Sequence, residues 1–197
     1  MKNDTFDYMR RSVEMDISTV KALYESMDRK AYERACELLK SSTLTVTSAC
    51  GSSCFATQKF AHALCCIERP AKYVPPSEAV HGGMGALQRG NTLVLVSRGG
   101  RTDELIPLAE IAKKKGANLI TVTANGESDL AKFADVVLLL PDLPESDRHG
   151  VMSTTSFIST MSVFNALIVG LMEEDDYELS SFSLIHPGGA VGKKISR

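Results

Sequence analysis

The chain predicts an α/β fold, a parallel sheet with helices on both faces. Three observations predict it. From residue 43 onward, β-type and helical patterns alternate in units of the size that builds strand–helix–strand crossovers. Two of the strands, Leu93-Val94-Leu95-Val96 and Val136-Val137-Leu138-Leu139-Leu140, are unbroken apolar runs, the pattern of strands buried on both faces. Two strand-to-helix crossings also share nearly the same loop chemistry. One reads Thr47-Ser48-Ala49-Cys50-Gly51-Ser52-Ser53 and the other Ser97-Arg98-Gly99-Gly100-Arg101-Thr102.

The elements follow in order. Residues 4–40 read as helical, with Val13, Ile17, Val20, Leu23, Tyr24 and Met27 at three- and four-residue steps. A second helix from about Arg29 to Lys40 turns Ala31, Ala35 and Leu38 inward. Both precede the first strand, so they pack across the sheet or against a partner subunit. A strand over 43–48 leads to a helix over 52–66, and a short strand over 71–74 meets the breakers Pro75 and Pro76. A short helix over 77–80 then delivers His81. A strand over 91–97 feeds a helix over 102–115 closed by Gly116. A strand over 118–123 feeds a helix over 127–133, and a strand over 135–140 ends at Pro141. A loop over 141–151 precedes a long helix over 153–173, and the tail from 177 has little periodicity.

Composition narrows the function. With 197 residues, 44% hydrophobic and 23% charged, the chain suits one soluble domain with a real core. A net charge of −2 gives no basic footprint for nucleic acid. No apolar run approaches the ~20 residues of a membrane span, and the polar start is unlike a signal peptide, so a cytoplasmic protein is expected. Five cysteines, an odd number in apolar context, read as reduced thiols. Cys50-x3-Cys54 lacks the partner cluster that a metal site needs.

Ligands of open parallel sheets sit beyond the carboxyl ends of the strands, and both loops lie there. A helix start exposes unpaired N–H groups and the positive end of its dipole, a cradle for phosphate. Gly51 lets backbone approach a ligand, and Gly99 stands in the matching loop. Ser52, Ser53, Ser97 and Thr102 can donate hydroxyls, and Arg101 can place a fork on phosphate. Thr102 also suits the N-cap of the helix that follows it. The plainer reading is that these residues only cap helices. Neither loop has the nucleoside-triphosphate or dinucleotide glycine pattern. Thr154, Thr155 and Ser156 form a third hydroxyl-rich helix start, which either caps or adds a phosphate contact. Glu145 stands in a charged loop on the ligand side of the sheet, and such a loop is otherwise just solvated. His81 and His186 sit among turn formers, His62 reads as structural and His149 as solvated.

These residues resemble a family. Ser97 to Glu104 resembles the Ser-x-Ser-Gly-x-[Ser/Thr]-x-Glu loop of sugar isomerase (SIS) domains. Ser77-Glu78-Ala79-Val80-His81-Gly82 resembles a segment of arabinose-5-phosphate isomerases, and His186-Pro187-Gly188-Gly189-Ala190-Val191-Gly192 resembles their terminal string. The similarity runs from about residue 15 to the end and is to the isomerase domain alone, without the CBS domains that often follow it. The resemblance implies a three-layer α-β-α sandwich on a five-stranded parallel sheet, doubly wound as in flavodoxin. It implies a single domain over 1–197, with N-terminal helices over 1–40, a core over 41–175 and a terminal segment over 176–197. It implies a phosphorylated sugar as ligand and a homotetramer whose sites are shared between subunits. Ser53, Ser97 and Thr102 fall on the phosphate-loop positions, and His81, Glu145 and His186 on positions of the active site. The family's first loop commonly carries Lys where this chain has Ser52, and its second carries Glu where this chain has Arg101.

An isomerase of aldose and ketose phosphates moves a proton between C1 and C2 through an enediolate. On that reading Glu145 is the base, its pKa raised by burial, and His81 and His186 assist ring opening and shuttle protons. No metal or cofactor is required. The alternatives are a sugar-phosphate sensor without turnover, which Ser52 and Arg101 favour, a 6-phospho-3-hexuloisomerase, and an assembly subunit contacting partners through its N-terminal helices.

Overall fold

The computed structural model describes residues 5–188. Five strands form one all-parallel sheet: β1 (Thr45–Ala49), β2 (Ala71–Tyr73), β3 (Thr92–Val96), β4 (Asn118–Thr123) and β5 (Val136–Leu139), in the order β2-β1-β3-β4-β5. The chain winds outward to β2 and then returns past β1 to β3. The topological switch therefore lies between the carboxyl ends of β1 and β3. Ala49 is in register with Val96, so Cys50 and Ser97 leave the sheet side by side.

The apolar runs divide between two cores because alternate strand residues face opposite ways. Val94 and Val96 join Ile120, Val122 and Leu138 under α1 (Thr5–Ser26), α2 (Arg29–Ser41), α3 (Ser52–Cys66) and α7 (Thr155–Glu174). Leu93 and Leu95 join Leu119 under α5 (Ile106–Lys115) and α6 (Asp129–Phe133). Phe60 of α3 and Phe164 of α7 stack with centroids 4.1 Å apart at the centre of the first core. In α2, Ala35 and Leu38 are buried and Ala31 packs beside them, as the pattern requires.

Several elements differ from the sequence expectation. α5 begins at Ile106, four residues later than the helix expected from Thr102 onward, because residues 102–105 form a turn closed by Leu105 N–H on the Thr102 carbonyl at 3.0 Å. α4 (Pro76–Ala79) forms where the short helix was expected, whereas a 3-10 turn over Gly83–Ala86 and α8 (Leu179–Ile185) fold in segments with little periodicity. Gly189 to Gly192 of the terminal string lie outside the described residues. In α1 the apolar residues Val13, Ile17, Val20 and Tyr24 point to solvent, as does Met27 just after it, while Thr19 and Leu23 are buried against the domain. α7 has the length and hydropathy of a membrane span, contrary to the reading that no segment does. It serves here as the core helix, with Val163, Phe164, Leu167 and Leu171 buried.

Candidate functional site

The site is built at the carboxyl edge of β1 and β3. Gly51 has φ 58° and ψ −141°, a backbone that a side chain would strain, and it turns β1 directly into α3. No side chain caps α3. The first intrahelical bond is Cys54 N–H to the Gly51 carbonyl at 3.1 Å, which leaves the Ser52 and Ser53 amides at the positive helix end. Ser52 is exposed and Ser53 half-buried.

In the adjoining loop the Ser97 hydroxyl lies 2.8 Å from the Thr102 hydroxyl and accepts the Gly100 N–H at 3.0 Å. Two hydroxyls sharing one bond keep one proton uncommitted, a donor for an incoming oxygen. Thr102 does not cap α5, whose N-cap position is Leu105; its hydroxyl is turned to Ser97 instead. The indispensable glycine here is Gly100, with φ 68°, since a Cβ on it would lie 1.9 Å from the Ser128 Oγ. Gly99 faces open space, and with Arg98, Ala124, Asn125, Gly126 and Asp142 it lines a concavity of about 640 Å³. Arg101 is exposed. So is Glu104, and its charge reaches the first loop. Burial chiefly pushes the Cys50 thiol up, and the Glu104 carboxylate adds to it. Glu104 closes the Ser97–Glu104 loop motif, and only the folded chain brings its charge to the first loop.

Glu145 is buried, with 3% of its side chain exposed. Its Oε2 accepts the backbone N–H of Thr154 at 2.8 Å and of Ser156 at 3.2 Å, and the hydroxyls of Thr154 and Thr155 at 3.0 and 3.1 Å. Its Oε1 stands 3.4 Å from Arg98 Nη1. The carboxylate thus caps α7 in place of the hydroxyls there. The expected rise in its pKa is overturned. Burial does push the carboxyl up, but the hydrogen bonds from Ser156 and Thr154 outweigh it and hold the group below the ordinary value. Thr154 is also spent within the chain, donating to Glu145 and accepting Ser146 N–H at 2.9 Å, so it is not turned to a phosphate. Arg98, unmarked by any motif, ties this loop to β3 by donating to the Leu143 carbonyl at 2.6 Å.

The histidines do not converge within one chain. His81 is exposed after α4, its amide on the Glu78 carbonyl at 3.2 Å, on the carboxyl side of β2. His186 ends α8, stacked on Phe182 with centroids 3.8 Å apart, and its Nε2 lies 3.5 Å from the Cys66 Sγ. Cys66 ends α3, so His186 sits a whole helix, ~22 Å, from the Ser52 amide. His62 is not a core residue: it is exposed and meets the same Cys66 Sγ at 3.5 Å. All five cysteines are free thiols.

Residues 38–170 match the SIS domain family. Arabinose 5-phosphate isomerase KpsF of Escherichia coli is 29% identical over 188 residues, which are 95% of this chain and 58% of that enzyme. Arabinose 5-phosphate isomerase KdsD of Pseudomonas aeruginosa is 33% identical over 165 residues, 83% of this chain and 51% of that enzyme. The chain spans little more than half the length of these two curated relatives. The crystal structure of a candidate sugar-phosphate isomerase from Listeria monocytogenes superposes with a TM-score of 0.90 at 36% identity, covering 95% of this chain and 99% of that one. The chain belongs to the SIS domain family.

Proposed function

We propose that this SIS-domain protein is a phosphosugar isomerase of the arabinose-5-phosphate/ribulose-5-phosphate type, working through an enediolate. The observation that carries this is the pairing of two donor sets at the switch point. The uncapped start of α3 meets the neighbouring Ser97–Thr102 hydroxyl pair, and together they suit a phosphate monoester. Both curated relatives act on a phosphopentose of this kind by their names.

The Ser52 and Ser53 amides, the Ser53 hydroxyl and the Ser97–Thr102 pair hold the phosphate, with Gly51 and Gly99 admitting it. Arg101, exposed at the rim, adds charge. The proton transfer needs a carboxylate base. Glu145 is ionised at neutral pH, but only its Oε1 is free of the α7 cap, whereas Glu104 is open beside the first loop. His81 and His186 handle the sugar oxygens. Because His186 lies at the far end of α3 in its own chain, it serves the site of another copy, in keeping with a shared-site homotetramer.

The test is turnover of arabinose 5-phosphate by the parent, Glu104→Gln, Glu145→Gln and Ser97→Ala. A base variant loses kcat by about a hundredfold or more while remaining folded at the assay temperature. Ser97→Ala raises KM. Tight binding with no turnover by the parent supports the sensor reading, which Arg101 and Ser52 favour. Neither binding nor turnover rejects the phosphosugar site.

A further inference from the structure

Arg98 follows Ser97 of the hydroxyl pair in the chain. Among the described residues it is the only cation lining the concavity that it shares with Gly99 and Asn125. One close bond fixes its side chain, Nη2 donating to the Leu143 carbonyl at 2.6 Å. Its other two partners are loosely held. Glu145 Oε1 stands 3.4 Å from Nη1, and Asp142 Oδ1 stands 3.5 Å from Nη2 on a side chain that is 80% exposed. Charge-assisted bonds close to about 2.7–2.9 Å, so both contacts can yield to a better acceptor. A guanidinium has five N–H donors and stays charged at any working pH. With 38% of its side chain exposed, Arg98 is held in place with donors to spare.

Glu145 is a weak base. Burial pushes its carboxyl up, but the hydrogen bonds from Ser156 and Thr154 hold it below the ordinary value. A weak base removes a proton from carbon only where the electrons left behind are strongly stabilised. We propose that Arg98 is a catalytic residue, the cation that stabilises the enediolate oxygen while Glu145 Oε1 takes the proton from the neighbouring carbon. The inference rests on the phosphosugar-isomerase reading with Glu145 as the base. From the aldose, the C2–H bond breaks and its proton goes to Glu145. The electron pair of that bond forms the C1–C2 double bond, and the carbonyl π pair moves to O1, the new anion beside Arg98. Glu145, now neutral, gives the proton to C1 as the enediolate collapses, and the O2 proton passes to O1, which leaves the ketose. Arg98 thus has one anionic neighbour at every stage, first Glu145 and then O1, so the charge moves without leaving its cation.

Turnover of arabinose 5-phosphate and calorimetric binding of two probes test it in the full chain, with circular dichroism to show that each variant is folded. Arabinitol 5-phosphate has the phosphate and the carbon chain but no carbonyl. A phosphorylated four-carbon hydroxamate copies the planar enediolate. Arg98→Gln removes the charge and keeps an N–H for the Leu143 carbonyl. It lowers kcat by about a hundredfold or more, with KM within about threefold of the parent. Its affinity for the hydroxamate falls by about the same factor as kcat, while that for arabinitol 5-phosphate holds within about threefold. Arg98→Lys keeps the charge without the fork and stays about tenfold below the parent in both kcat and hydroxamate affinity. A folded Arg98→Gln that keeps its kcat, or loses affinity for both probes alike, overturns the proposal, since a structural clamp does one or the other. If Arg98→Gln does not fold, Arg98→Lys decides: no fall in kcat, or a fall without a matching loss of hydroxamate affinity, overturns it. A parent with neither turnover nor preference for the hydroxamate rejects the isomerase itself, and this inference with it, before any variant is compared.

Discussion

Glu145 shows two opposed forces on one carboxyl. Desolvation favours the neutral acid, while the amides and hydroxyls at the start of α7 favour the anion, and the anion prevails. Since the folded-state pKa lies below the ordinary 4.5, the stabilisation is complete above that pH and is lost as pH falls through the lower folded value. Glu145→Gln keeps the shape but loses the charge. It is expected to lower the unfolding free energy in urea by about 1–3 kcal/mol at pH 7. Below about pH 4.5 the variant should lose stability less steeply than the parent. Equal acid limbs would mean that the carboxylate is not what caps α7. Glu145 follows the carboxyl end of β5, as its place in the sequence requires, and stands beside Arg98. Its role as a cap was hidden, because its partners lie nine to eleven residues away and are met only after the loop folds back.

At the scale of elements, α2, α7 and the turn between α3 and β2 are joined by one ionic cluster. Arg69 Nε donates to Asp175 Oδ2 at 3.0 Å and its Nη1 to the Lys40 carbonyl at 3.0 Å, while Lys40 Nζ stands 3.1 Å from Asp175 Oδ1. Burial pushes the Asp175 carboxyl up, yet Arg69 and Lys40 more than offset it and leave it below its ordinary value. Three elements distant in sequence thus depend on one guanidinium. Arg69→Ala is expected to cost about 1–3 kcal/mol in thermal or urea unfolding. It should also free the C-terminal end of α7, read as faster amide exchange there than in the body of the helix. No motif announces such a cluster, since its members carry no periodic pattern. The boundaries of α3 were legible at 52–66 because Gly51 breaks the strand and the helix begins at once. The start of α5 was not, because Thr102 has the chemistry of an N-cap but spends its hydroxyl on Ser97 while residues 102–105 close a turn.

For the whole molecule, a ligand that binds only the folded state raises its stability by mass action. Arabinose 5-phosphate at a hundred times its dissociation constant should add about 2.7 kcal/mol to the unfolding free energy, seen as a rise in Tm. The rise should shrink in Ser97→Ala, which loses half of the hydroxyl pair. A rise that is identical in both proteins would place the phosphate elsewhere. The sheet, its parallel sense and the two loops at its carboxyl edge were determined by the amino-acid sequence alone. Periodicity of apolar residues and the glycine and hydroxyl chemistry at strand ends are local properties, and local spacing is enough to express them. Only the tertiary structure decided that Arg98 and the start of α7 hold Glu145, that α1 turns Ile17 and Tyr24 to water, and that His186 lies at the opposite end of α3 from Ser52. Spacing says which residues share a face. It does not say what covers that face, because cover comes from segments far away in the chain that meet only when the core closes.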